Sequence, residues 1–486
     1  MTDISMLSGL RMLIVGLGRE GQALAAYLAK HGLTITATDL KSAEQLGAET
    51  TSLEEAGVSL ALGEHPKSLL DEADILFVSP GVPLEIPFLQ EAIARKIPLS
   101  TESRLFCHLC PAPILAVTGS SGKTTTTTIL TKILEADGKK TWLGGNIGRP
   151  LIAVVDEIEP DDTVVMELSS FQLEYFHARL NKEVDVEALP SANPQRLAAL
   201  LDNWSPPVSA ILNITPNHLD RHPSMKHYIQ AKRAIIDYQT GQRVLIMNLD
   251  NDMTRTIGNQ FGLDVRWFST EAQMPGGAGM LGDRLVLFDR DDRPHTLASK
   301  QEIKLHGLHN LSNTLAACLM AREAGASINA MQQVITSFTG VEHRLQLVRE
   351  YNDVSYYNDS ISTSPERLVA ALHSFNEPIV LLAGGRDKQL PWDDATRLML
   401  HKVHSIILFG EATEIIASAI ARVRPELSQA SLNVHRCSNL EEAIRLAAQV
   451  TRPGDVVLLS PGCASFDAFS SFAERGERFE EYVMQL

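Results

Sequence analysis

Residues 114–130 read "ILAVTGSSGKTTTTTIL". Five apolar or β-branched residues run without polar alternation, which predicts a strand covered on both faces. Gly119, Ser120, Ser121 and Gly122 then form a short loop, and a helix begins at Lys123 and Thr124. Glycines let backbone N–H groups point at phosphate oxygens, and the helix start adds partial positive charge. Lys123 is placed to reach β- and γ-phosphates, and the hydroxyls of Thr124 and Thr125 to meet Mg²⁺ or phosphate. Threonines fill positions 124–128. They are weak helix-interior residues, so their clustering favours a role for hydroxyls at the helix start. The spacing G-x-x-G-K-T is shorter than the common G-x-x-x-x-G-K-[ST], because position 117 is Val. The plain alternative is a Gly/Ser turn ahead of a helix.

The same strand–loop–helix pattern recurs on both sides. "RMLIVGLGREGQALAAYLAKHG" opens the chain, and "VSYYNDS", "PIVLLAGGRDK", "SIILFGE" and "VVLLSPGCAS" fill its last third. Helical patterns such as "EEAIRLAAQV" separate them, which completes βαβ units. The expectation is an α/β chain of three domains. Residues 1–110 form a Rossmann-like domain, 111–340 a central P-loop ATPase-like domain, and 341–486 a second Rossmann-like domain. Boundaries are expected near Cys110–Pro113 and Thr339–Arg344. The acidic, then Pro-rich stretch Asn181–Pro207 reads as a surface excursion.

Size and composition agree. A chain of 486 residues suits two to four domains. Its 43 basic and 59 acidic residues give a net charge of −16, which disfavours nucleic acid and anionic membrane as partners. Five scattered cysteines suit a reducing compartment, and the Cys107–Cys110 pair lacks a second pair at zinc spacing. "MTDISMLSGL" has no basic start and no apolar core, so the expected location is cytoplasmic.

Two further stretches carry chemistry. "DTVVMELSSFQ" (residues 162–172) ends its strand at Glu167, where a carboxylate can hold Mg²⁺. "ILNITPNHLDRHPSMKHYIQAKRAIIDYQ" (residues 211–239) places His218 in a turn and starts a helix after Ser224. Lys232 lies three and four residues from Tyr228, Ile229, Ile235 and Ile236, on the helix's apolar face. A lysine there needs a partner or loses its charge, unless it snorkels to a domain edge.

Taken with "GLGREG", "SPGVP", "GGNIGRPL", "GLHNLSNTLAA", "EHRLQ", "NDS" and "LLSPGCASFDAFSSFAERG", these motifs resemble, in order and across nearly the whole chain, the ATP-dependent Mur ligase family. That family also includes folylpolyglutamate synthases, and its loop has the short glycine spacing. The resemblance is greatest to the branch that joins glutamate to UDP-N-acetylmuramoyl-L-alanine. It implies an acyl-phosphate mechanism in peptidoglycan precursor synthesis, with ATP, two Mg²⁺ ions and D-glutamate, L-glutamate being the alternative. It also implies a monomer acting on small molecules.

By the same resemblance, Lys123, His218 and Lys232 are catalytic. Thr124, Glu167, His218 and Lys232 surround the metals, with Lys232 carbamylated by CO₂. Asn313, Arg344 and Asp359 join the loop around ATP. Gly16, Gly18, Arg19, Glu20, Asp39, Ser79, Gly81, Asn146, Ser169, Ser170 and Gln172 line the UDP substrate and the reaction centre. Thr363, Lys388, Ser465 and Phe472 receive glutamate. One departure stands out: the family's Asn-Asp-Ser-Lys-Ala-Thr-Asn is replaced by "NDSISTSPE", so Ile361 occupies a lysine's place. A cation near the reacting anions is therefore absent or supplied elsewhere.

Other readings of single motifs compete. Gly16, Gly18, Gly21 and Asp39 also fit an NAD-dependent dehydrogenase. A folate-type ligase and an inactive nucleotide-binding scaffold share parts of the pattern. Binding of residues on different domains to one reaction centre implies domain closure.

Overall fold

The computed structural model describes residues 3–47, 49–218, 221–240, 244–261, 265–289, 291, 293–305, 307–388, 390–426 and 432–486. Their contacts divide the chain into two compact units, Met1–Phe338 and Thr339–Leu486. The described residues form three sheets, two in the first unit and one in the second.

The first sheet contains β1 (Arg11–Val15), β2 (Thr34–Asp39), β3 (Ser59–Leu62), β4 (Ile75–Val78) and β5 (Leu99–Ser100). Its order is β3-β2-β1-β4-β5 and every pairing is parallel. Strand order reverses at β1 and β4, and ligands of open parallel sheets bind outside such a switch point. The loops there carry Gly16–Glu20 and Ser79–Gly81.

The second sheet contains β6 (Ile114–Thr118), β7 (Thr141–Gly145), β8 (Thr163–Glu167), β9 (Val208–Ile211), β10 (Val244–Asn248), β11 (Val265–Phe268), β12 (Ala278–Leu281), β13 (Arg284–Phe288) and β14 (Pro294–Ser299). Its order is β14-β13-β12-β11-β10-β9-β6-β8-β7. It is parallel from β7 to β12, and β13 and β14 extend it antiparallel. Strand β6 is fully buried between β8 and β9, so the loops after all three open at one edge.

The threonine run forms the first turns of the helix Lys123–Ala136. The Thr127 and Thr128 hydroxyls donate back to the carbonyls of Lys123 (3.1 Å) and Thr124 (2.8 Å). Such bonds let threonine sit inside a helix without stranding its hydroxyl. Part of the run therefore serves the helix itself.

The stretch Asn181–Pro207 departs from the surface excursion expected of it. Leu197, Leu200 and Leu201 of its helix Pro194–Leu201 are buried, in the apolar core that also holds Leu10, Phe106 and Ile211. The Asn181 side chain accepts from Leu99 N (2.8 Å) and donates to Leu99 O (3.0 Å), pairing with β5. Arg104, buried at the end of the first sheet's elements, donates to the carbonyls of Tyr175, Leu200 and Asp202. The segment thus fastens the first sheet to the second.

The second unit holds β15 (Gln346–Tyr351), β16 (Val354–Asn358), β17 (Ile379–Gly384), β18 (Val403–Phe409), β19 (Asn433–Arg436) and β20 (Val456–Gly462). The order is β15-β16-β20-β17-β18-β19, with only β15 antiparallel to its neighbour. The turns after β16, β20 and β17, three adjacent strands, carry Asp359–Thr363, Cys463–Ser465 and Gly385–Lys388.

Candidate functional site

The loop after β6 is tied to the ends of its neighbours. Ser120 N donates to Asn213 O (3.0 Å), and Ser121 N donates to Asn213 Oδ1 (2.9 Å). Ser120 Oγ lies 2.8 Å from the Tyr228 hydroxyl and accepts from Thr215 N (2.9 Å). Gly122 has φ +82°, the left-handed region that favours glycine. A Cβ there would stand 2.2 Å from Asn313 Oδ1, so Asn313 presses directly on the loop.

Two lysines meet at one carbonyl. Lys123 Nζ donates to Gly119 O (3.0 Å) and Lys232 Nζ donates to the same oxygen (2.9 Å). Lys232 also donates to Thr118 Oγ1 (3.2 Å), whose own proton goes to Leu168 O (2.7 Å). Its amine stands 4.9 Å from the Tyr228 ring centroid, and the residue is 2 % exposed. Burial first, and the neighbouring Lys123 charge second, hold the Lys232 pKa well below the lysine range, against the pull of Glu167. Lys232 spends two donors on two oxygens, Thr118 Oγ1 and Gly119 O, and among the described residues no carboxylate takes its proton there. The snorkelling reading does not hold for this side chain.

Glu167, at the end of β8, accepts from Thr124 Oγ1 through Oε2 (2.8 Å) and from Asn146 Nδ2 through Oε1 (2.9 Å). A hydroxyl beside a carboxylate is the hard-oxygen pair that Mg²⁺ takes from protein while keeping waters and phosphate oxygens. These two residues therefore fit Mg²⁺. Among the described residues no three of His, Cys, Asp and Glu gather as a metal cage. His218 is exposed, with φ +53°, and its ring stands edge-on to Phe171 at 5.1 Å. Leu219 and Asp220 of the same motif lie outside the described residues.

The first sheet's glycine loop adjoins this edge. Asp39 Oδ2 accepts from Leu17 N (2.6 Å), and Ser79 Oγ donates to Gly16 O (2.6 Å). Arg19 donates to Asn146 O (3.4 Å). Gln172 donates to Glu20 Oε1 and to Ser103 Oγ, both at 3.0 Å. Burial, and then the Glu102 carboxyl, raise the Glu20 pKa well above the carboxylate range. Ser169 caps the short helix Ser170–Leu173 by accepting from Gln172 N (3.2 Å). Arg221 reaches across to the carbonyls of Gly81 (3.0 Å) and Pro80 (3.3 Å).

In the second unit, Asp359 is buried below its turn. It accepts from Leu345 N (3.2 Å) and Ser460 Oγ (2.8 Å). Burial raises it to about 6, against hydrogen bonds from Ser362, Ser460 and Leu345 and the charge of Arg344. Leu345 adopts φ +43°, held there by the bond to Asp359. Lys388 Nζ donates to Thr363 Oγ1 (3.0 Å). Ser465 is buried, while Phe472 is exposed and its carbonyl accepts from Ser360 Oγ (2.7 Å).

Known proteins match this layout from end to end. Residues 10–101 match the N-terminal domain of MurD-like Mur ligases, 117–321 the Mur ligase middle domain, and 343–463 the Mur ligase glutamate ligase domain. The UDP-N-acetylmuramoylalanine–D-glutamate ligase of Symbiobacterium thermophilum is 40% identical over 98% of this chain and 98% of its own. This chain belongs to the Mur ligase family.

Other Mur ligases agree. The D-glutamate ligase of Acetivibrio thermocellus is 38% identical, covering 98% of this chain and 96% of its own. Two crystal structures share the fold at low identity. The UDP-N-acetylmuramate-alanine ligase of Thermotoga maritima has a TM-score of 0.52 at 16% identity, over 98% and 99% of the chains. MurF of Acinetobacter baumannii has a TM-score of 0.51 at 17% identity, over 96% and 93%.

Within this Mur ligase, the first unit brings Lys123, Thr124, Glu167, Asn146 and Lys232 to one sheet edge, with Arg19, Glu20 and Gln172 beside them. Arg344, Asp359, Thr363, Lys388, Ser465 and Phe472 belong to the other unit. Sequence reasoning missed Thr118, Asn213 and Tyr228 as supports of the loop. It also missed a relay behind Phe171. Ser170 Oγ lies 2.9 Å from His222 Nε2, His222 Nδ1 3.1 Å from His227 Nδ1, and His227 Nε2 3.1 Å from Glu174. The only sequence signal was a second and third histidine close behind His218.

Proposed function

We propose that this chain is an ATP-dependent ligase that joins D-glutamate to UDP-N-acetylmuramoyl-L-alanine. The observation that carries the reading is the pairing of Lys123 and Lys232 on Gly119 O, beside Thr124 and Glu167. That arrangement offers a triphosphate the Lys123 cation at a helix start and hard-oxygen metal ligands. The named function of full-length relatives at 40% and 38% identity supplies the substrate.

A carboxylate is a poor electrophile until one oxygen becomes a leaving group. Its oxygen attacks the γ-phosphorus of ATP, ADP departs, and an acyl phosphate remains. The glutamate amine then attacks the acyl carbon and phosphate leaves. Lys123 withdraws from Gly119 O to the β/γ-phosphates, where charge develops. Thr124 and Glu167 would hold one Mg²⁺, and His218 with Lys232 the surroundings of a second. Bound Mg²⁺ supplies neutralisation of the crowded phosphate oxygens. Lys232 is carbamylated: its amine lone pair attacks the CO₂ carbon, the N–C bond forms as a C=O π bond opens to a carboxylate, and one amine proton leaves to solvent, a step that a lowered amine pKa favours. The carbamate converts a buried amine into an anionic oxygen ligand. Asn146 fixes the second oxygen of Glu167, so its carboxylate keeps one orientation.

The test is phosphate release from ATP with Mg²⁺ and UDP-N-acetylmuramoyl-L-alanine, with D-glutamate, L-glutamate or no amino acid. Release is expected with D-glutamate. Release that ignores the amino acid would overturn the ligase reading, and preference for L-glutamate would overturn its stereochemistry.

A further inference from the structure

The turn after β16 is gripped by three cations from three other places. Arg475, of the helix Phe472–Met484, donates to Ser360 Oγ (3.0 Å), Ser360 O (2.9 Å) and Cys463 O (3.2 Å). Arg367, of the helix Pro365–His373, donates from Nη1 to Ile361 O (3.1 Å). Lys388, beyond β17, donates to Thr363 Oγ1 (3.0 Å). Among the described residues, none of the three forms an ion pair with a carboxylate. Nearby acids are engaged otherwise: Asp359 with Leu345 N and Ser460, Asp467 with Glu411 N, and Glu411 with Arg386.

The three cations differ in availability. Arg475 is 0 % exposed and spends its donors on the turn and on Cys463 O. Arg367 and Lys388 are exposed, each anchored to a neutral oxygen of one tight turn, which Thr363 N closes by donating to Ile361 O (2.9 Å). A guanidinium has five N–H donors in a planar fork suited to a carboxylate. Like charges anchored on one turn repel, and an anion between them would relieve that repulsion. Burial, and then Arg367, lower the Lys388 pKa, as adjacent cations should.

We propose that Arg367 is a binding residue for the incoming amino acid and that, with Lys388, it holds the two carboxylates of a dicarboxylate. The inference rests on the ligase reading above. It also explains how Ile361 can be apolar, because the neighbouring helix delivers the charge to that residue's carbonyl.

The test is the same phosphate-release assay on the full chain, comparing wild type, Arg367→Ala and Arg367→Lys. Losing a charge-assisted hydrogen bond should raise the KM for D-glutamate about 10- to 100-fold in Arg367→Ala. Arg367→Lys, which keeps the charge, should lose less. KM values for ATP and the UDP substrate should not move, and neither should the thermal midpoint, since the side chain is exposed. A wild-type KM for D-glutamate in Arg367→Ala, with normal folding, would overturn the inference and leave the ligase reading intact. No amino-acid-dependent release by the wild type would overturn the ligase reading, and this inference with it.

Discussion

Lys232 shows how a single buried side chain can define a site. It is 2 % exposed, shares the Gly119 carbonyl with Lys123 and faces the Tyr228 ring. Two ammonium groups on one oxygen are unfavourable, and burial together with the Lys123 charge lowers the Lys232 pKa well below the lysine range. Lys232→Ala should therefore retain ATP binding while turnover falls by at least about a hundred-fold, because an electrostatic ligand is lost where charge develops. Bicarbonate should not restore it, and the proposed carbamate is tested by a carbon signal from labelled bicarbonate, expected in the wild type and absent from the variant. Asp359 makes a second residue-scale test. Its folded pKa is raised from 3.8 to about 6, so the folded state holds a proton that the unfolded state has released. Stability from this group is full below 3.8 and is lost as pH rises through about 6. In Asp359→Asn the thermal midpoint should fall less between those pH values than in the wild type.

At the scale of elements, the decisive object is the turn from β6 into the helix Lys123–Ala136. The strand and helix supply the frame, and Gly122 supplies the one left-handed residue that joins them. Gly122→Ala should cost about 1–2 kcal/mol from backbone strain alone. The contact at 2.2 Å with Asn313 adds to this, so ATP affinity should fall as well. Nucleotide titration and thermal denaturation of the same variant separate the two effects. This element was legible in the sequence, because a strand, two glycines, a lysine and a hydroxyl are all local signals. Its supports were not. Asn213 and Tyr228 lie about a hundred residues away and reach the loop only because β9 pairs with β6. The His222–His227–Glu174 relay was hidden for the same reason.

For the molecule as a whole, the chemistry is divided between two compact units. The glycine loop after β6 belongs to Met1–Phe338 and the cation-gripped turn to Thr339–Leu486. The first unit is unified by Arg104, which donates to three carbonyls of the 175–202 segment. Burial lowers its pKa to about 10, which still leaves it charged at neutral pH. Arg104→Ala strands those buried carbonyls and should destabilise the first unit by about 3–5 kcal/mol. Calorimetry should show its transition moving down while that of the second unit stays, and proteolysis near residue 190 should accelerate. Coincident movement of both transitions would contradict the division.

The sequence by itself determined the α/β class, the glycine loop between β6 and its helix, the carboxylate at the end of β8 and the buried lysine. Each is written in local periodicity, in glycine placement or in a charge on an apolar face, and such signals span only a few residues. Tertiary structure alone decided which carbonyl the lysines share, what clasps the first two sheets together, and that Arg367 stands over Ile361. Those facts depend on strand order and helix packing, which set distances between residues that are remote along the chain.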